Sequence, residues 1–125
     1  MSDHIVRAYD RDLDLLGRRI AEMGGIAEKL LSDAMDALAN LDPDLAKTVV
    51  AADARLDSLQ REVEDDAILT IARRQPLAVD LRECVAAIRV SGDLERVGDL
   101  AKNIAKRAVK IAAEARLPRA IVGLK

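Results

Sequence analysis

Five residues carry the chemistry that this chain could do. Asp53 and Asp57 stand four positions apart, and so do Glu95, Asp99 and Asn103 in succession. Residues four apart on a helix lie one above the other on the same face, so each set forms a column of side-chain oxygens. Carboxylates held in such columns repel one another unless a cation neutralises them. His4 and Cys84 are the single residues of their types, which leaves no soft donor set to assemble. The expected ligands are therefore oxygens, and the expected ions Mg²⁺, Mn²⁺, Ca²⁺ or iron in preference to structural zinc. A di-iron oxidase centre of the ferritin type is disfavoured, because its Glu-x-x-His pairs are missing. The competing reading is that Arg55, Arg61 or Arg96 pairs with these acids, since charged residues are 34% of the chain.

The elements that must position these residues read as helices. Half of the 125 residues are apolar, yet aromatics are 1%, so the core volume is Ala, Leu, Val and Ile, which suits helix-on-helix packing. The apolar series Tyr9, Leu13, Leu16, Ile20, Met23, Ala27, Leu30, Ala34, Leu38 and Leu41 advances in threes and fours, the stripe of one long helix. Gly24 and Gly25 interrupt it and predict a bend or close packing there. Asp42 and Pro43 are suited to an N-cap and a first helical position. The second helix carries Leu45, Val49, Ala52, Leu56, Leu59 and Val63, and Pro76 makes 73–77 a turn. The third helix shows two apolar faces, Leu77, Leu81, Val85 and Ile88 first, then Val90, Leu94, Val97, Ala101, Ile104, Ala108 and Ile111. Continued past Ser91-Gly92, the first face lands on Glu95, Asp99 and Asn103.

The predicted architecture is all-α, an elongated antiparallel three-helix bundle with helices near 4–40, 43–74 and 78–115. The bundle would occupy 1–116, and 117–125 reads as the start of a truncated fourth helix. Helices two and three must run antiparallel about Pro76. Asp57 and Glu95 are equidistant from that proline in sequence, and so are Asp53 and Asp99. Equal distance along a hairpin means equal height, so four carboxylates are expected to converge.

Composition narrows the function classes. A net charge of −2 argues against an electrostatic nucleic-acid binder. No apolar run is long enough to span a bilayer and no signal-peptide pattern opens the chain, so no membrane insertion is expected. A lone cysteine suits a reducing, cytoplasmic setting. No nucleophile–base pair and no phosphate-binding loop is evident, so a non-enzymatic role is expected. Two bland features remain. Arg82 and Arg89 read as solvated cations more than as an anion site, and Glu62, Glu64, Asp65 and Asp66 read as a solvated face that would at most widen a cation-binding region.

Three stretches resemble the PhoU family of phosphate-uptake regulators. They are Asp53-Ala54-Arg55-Leu56-Asp57 with the following LQREVEDDAI, the turn and restart QPLAVDLR at 75–82, and SGDLERVGDLAKNIA at 91–105. The resemblance implies metal-cluster binding by paired acid-x-x-x-Asp motifs, here Asp53 and Asp57 with Glu95 and Asp99, and Asn103 on the same face. It also implies a cytoplasmic brake on phosphate signalling, with the phosphate-transporter ATPase subunit and the phosphate-sensing histidine kinase as partners. Members have two tandem three-helix bundles, whereas this sequence has one repeat and the first residues of another. A lone repeat would expose the surface its neighbour covers, so a homo-oligomer is expected. Two other readings remain open at this point, a purely structural helical interaction module without metal and a metal-dependent phosphohydrolase.

Overall fold

The computed structural model describes residues 3–74 and 78–115. Within them the chain forms α1 (Asp3–Asn40), α2 (Pro43–Arg74) and α3 (Ala78–Ala115). Each helix packs on both others. Of the turn expected at 73–77, Arg73 and Arg74 belong to α2, while residues 75–77 and 116–125, including the expected fourth-helix start, lie outside the described residues.

The α1–α2 junction is built from local backbone chemistry. Leu41 adopts φ 48°, the left-handed conformation that lets the chain leave the helix. The Asp42 N–H then reaches back to the Ala37 carbonyl at 2.9 Å, and the Leu41 N–H to the Leu38 carbonyl at 3.4 Å, which satisfies the end of α1 in a Schellman arrangement. Asp42 opens α2 as its sequence position suggests, its Oδ1 accepting from the Asp44 and Leu45 N–H groups, each at 3.1 Å.

The core is organised in sevens. On α1 the buried residues are Leu16, Met23, Leu30 and Ala37, with Ala27 and Ala34 beside them. On α2 they are Val49, Leu56, Val63 and Thr70, with Ala46, Asp53 and Ala67 in the adjoining row and Leu59 beside them. On α3 the row is Cys84, Ser91, Gly98, Ala105 and Ala112, joined by Ala101 and Ala108. A seven-residue repeat places two helix faces together along a left-handed supercoil. Small residues fill the α3 row, so that helix approaches its neighbours closely without aromatic filler.

This repeat corrects two sequence expectations. α3 does not exchange one apolar face for another: Leu81 and Val85 are exposed, and so are Val90 and Ile111 of the second series. One continuous seam runs from Cys84 to Ala112. A seam that recurs every seven residues drifts by about 20° per repeat against a fixed 100° per residue, so a fixed step progressively misplaces it along the helix. Nor does close packing occur at Gly24 and Gly25. A Cβ at either would meet nothing within 4 Å, and α1 runs through them unbroken. The closely packed glycine is Gly98.

The two polar residues in the seam other than Asp53 are satisfied internally. Ser91 Oγ donates to the Ile88 carbonyl at 2.8 Å, and Thr70 Oγ1 to the Asp66 carbonyl at 2.7 Å. Asp53 has no such arrangement.

Candidate metal centre

Asp53 occupies a core position of α2 and is 1% exposed. It fits there because α3 presents Gly98 at the same height. A Cβ on Gly98 would come within 2.7 Å of Asp53 Oδ1 and closer still to Leu56 Cδ2. The missing side chain of Gly98 is thus the space into which α2 inserts both Leu56 and the Asp53 carboxylate.

The antiparallel register brings the acids of the two helices together as the distances from Pro76 predict. One carboxylate oxygen from each of Asp53, Asp57 and Asp99 lies within 4.8 Å of the other two. Glu95, half-buried one turn before Asp99, interacts with both Asp99 and Asp57. Among the described residues, Asp53, Asp57 and Asp99 are the metal-capable side chains that meet in a group of three. Asn103 is exposed, one turn beyond Asp99.

The ion-pair alternative does not draw on the arginines considered from sequence. Arg55 Nη2 reaches Glu22 on α1 at 3.0 Å, Arg96 Nη1 faces Asp93 at 3.8 Å, and Arg61 is exposed. The cation beside the cluster is Lys102, whose Nζ lies 3.8 Å from Asp53 Oδ2. The 62–66 acidic run is partly spoken for as well. Arg19 spans Glu62 at 2.8 Å and Asp66 at 3.2 Å, tying α1 to α2, and Gln60 donates to Glu64 at 3.1 Å. It does not extend the cluster. Arg82 and Arg89 flank an open cavity of about 490 Å³ with Leu81, Val85, Ala86 and Val90.

Electrostatics at the cluster are those of acids short of partners. Asp53 Oδ1 and Asp57 Oδ1 are buried atoms with no hydrogen-bond donor. Burial raises the Asp53 carboxyl above its ordinary range, and the charges of Asp57 and Asp99 add to this, while Lys102 acts in the opposite sense. Burial also pushes Glu95 from the ordinary 4.5 up to about 7, helped by its hydrogen bond and charge interaction with Asp99 and the same from Asp57. Two carboxyls can hydrogen-bond only if one keeps a proton. The cluster therefore requires either a retained proton or a cation. An all-oxygen donor set with orphaned buried oxygens fits a hard cation such as Mg²⁺, Mn²⁺ or Ca²⁺, and iron of oxygen preference.

A pH dependence follows from the direction of these shifts. Between the ordinary value of 4.5 and about 7, the folded chain keeps a proton on Glu95 that the unfolded chain has released. Stability must then fall as pH rises through that window and level off above it. In chelator, the unfolding free energy from denaturant titration is expected to drop between about pH 4.5 and about pH 7, by on the order of 2 kcal/mol given the partly exposed position of Glu95. Glu95→Gln should flatten the decline. An unfolding free energy that rises over the same window would contradict these shifts.

Two features were not recognised from sequence as parts of this site. Gly98 was legible as one member of a seven-residue row of small residues, Cys84, Ser91, Gly98, Ala105 and Ala112. Lys102 stood three positions after Asp99, a spacing that places both on neighbouring turns.

An antiparallel helical bundle whose core opens around a carboxylate cluster describes the class of protein. Comparison with known proteins adds the family, because the PhoU domain matches residues 20–108. The chain belongs to the PhoU family. It is 51% identical over 109 residues to the phosphate-specific transport system accessory protein PhoU homolog of Rhizobium meliloti, covering 87% of this chain and 46% of that protein. The homolog of the same name from Caulobacter vibrioides is 51% identical over 109 residues, with 87% and 47% covered. That of Pseudomonas aeruginosa is 34% identical over 122 residues, with 98% and 50% covered. The chain spans about half the length of these curated relatives.

Proposed function

We propose that this chain is a negative regulator of phosphate uptake and phosphate-regulon signalling. It acts in the cytoplasm by contact with the phosphate-transporter ATPase subunit and the phosphate-sensing histidine kinase, and it performs no catalysis of its own. Relatives named as accessory proteins of a phosphate-specific transport system support the general role. Among the described residues, no helix is long and apolar enough to cross a membrane, which is compatible with a regulator that meets its transporter from outside the bilayer. Self-association belongs to the same reading, since α3 keeps Leu81, Val85, Val90 and Leu100 at its surface.

Within this reading Asp53, Asp57, Glu95 and Asp99, with Asn103 beside them, hold metal. The observation that carries it is the convergence of oxygens of Asp53, Asp57 and Asp99, with the Oδ1 atoms of Asp53 and Asp57 buried and without any donor. A bound cation would supply positive charge to acids contributed by α2 and α3, and so fasten those helices together. The chain's own part is steric and electrostatic. Gly98 makes the room, the heptad seam sets the height, and the carboxylates supply the charge. The helix surfaces around the centre, held in one arrangement, would then be what a partner recognises.

The test is complementation. In a strain deleted for its own phosphate-specific transport accessory protein, expression of this chain is expected to restore repression of a phosphate-regulon reporter in high phosphate, and Asp53→Asn with Asp99→Asn is expected to fail. Absence of repression by the folded wild-type chain, together with no recovery of transporter ATPase or kinase on affinity capture, would overturn the regulatory reading.

A further inference from the structure

Among the described residues, Lys102 is the basic side chain paired with the cluster, and its charge opposes metal binding. Its ammonium lies 3.8 Å from Asp53 Oδ2, and its side chain is 34% exposed whereas that of Asp53 is 2% exposed. The carboxylate is thus fixed in the core, while the lysine reaches it from the rim of the bundle on a flexible four-carbon stem. The arginines of this level are engaged elsewhere, Arg55 with Glu22 and Arg96 with Asp93. Asp53 Oδ1, on the far side of the same carboxylate, has no donor and is buried, so Lys102 neutralises only part of the cluster.

We propose that Lys102 is a built-in counter-cation of the acidic centre, which an incoming metal ion must displace, and that it thereby sets how tightly the centre binds. This rests on the metal reading above but concerns a residue that is not itself a ligand. An ammonium cannot donate an oxygen lone pair, so it cannot join a coordination shell. Beside a divalent ion it is repelled, and its exposed stem allows it to swing outward into water. An ion that takes the donorless Oδ1 therefore stands beside the ammonium and drives it off Oδ2 as it gains Asp53. Breaking a partly exposed pair weakens binding by on the order of tenfold. Without metal the same pair relieves the repulsion among Asp53, Asp57 and Asp99, so one residue keeps the uncharged-by-metal bundle folded and limits the affinity of the loaded one.

The experiment measures Mn²⁺ binding by calorimetry, with thermal melts in chelator, on the wild type, Lys102→Gln, Lys102→Arg and Lys106→Gln. Lys106 is exposed one turn further along α3 and controls for a general change of net charge. The proposal expects Lys102→Gln to bind Mn²⁺ roughly tenfold more tightly and to melt lower in chelator, with Lys102→Arg and Lys106→Gln within about twofold of the wild type in affinity. Binding by Lys102→Gln where the wild type shows none would support it equally. Equal or weaker binding by Lys102→Gln, with the wild type binding, would overturn the counter-cation role and leave the metal reading in place. No binding by either protein would overturn both.

Discussion

Adding Mn²⁺ is expected to raise the melting temperature of the wild-type protein by about 10 °C when the free ion exceeds its dissociation constant about a hundredfold, because a ligand held only by the folded state stabilises it by about 2.7 kcal/mol under those conditions. Mg²⁺ and iron should act in the same direction. The double variant Glu95→Gln with Asp99→Asn should lose this response, since two anionic oxygens are replaced by amides of nearly the same shape. In chelator the same variant should melt higher than the wild type. The reason is the raised Asp53 and Glu95 carboxyls, which mark a cluster that the fold holds together against repulsion and desolvation. An opposite pair of signs is what separates a metal centre from structural ion pairing. If the variant melts lower in chelator and the wild type ignores added metal, the acids are structural and the metal reading fails.

The second large effect is expected at a residue with no functional group at all. Gly98→Ala should destabilise the protein by about 2 kcal/mol, measured by denaturant unfolding, although alanine is the better helix former by about 1 kcal/mol. The added methyl would meet Asp53 Oδ1 at 2.7 Å and overlap Leu56 Cδ2. Leu56 and Asp53 are both buried, so to make room either side chain must move against its core neighbours, and a shift of Asp53 disturbs the cluster. The variant should therefore also lose the Mn²⁺ response. Gly24→Ala is the comparison, because a Cβ there meets nothing and the helix gains propensity. Equal stability of the two variants would show that α3 can shift away from α2, and would remove the steric argument for Asp53.

Much of this was legible in the residues alone, for a physical reason. Helix ends are local. Asp42 caps α2 and Pro43 begins it because capping and a missing N–H act within a few residues, and the boundaries expected at 43–74 and 78–115 are those observed. The meeting of Asp53 with Asp99 and of Asp57 with Glu95 was readable too, since a hairpin about Pro76 has one register and helical rise is constant. Packing is not local, and there the residues by themselves were insufficient. A fixed 100° step split the α3 seam into two faces, because the bend of one helix around another is set by all three together. The arginines beside the acids looked like partners until α1 offered Glu22 to Arg55. Gly24 and Gly25 looked like the close approach, yet proximity depends on what lies opposite, and it was Gly98 that faced Leu56 and Asp53. The types of the donors and their heights are written in the chain. Which charge stands beside them, and which missing side chain makes their burial possible, is decided only when α2 and α3 close on each other.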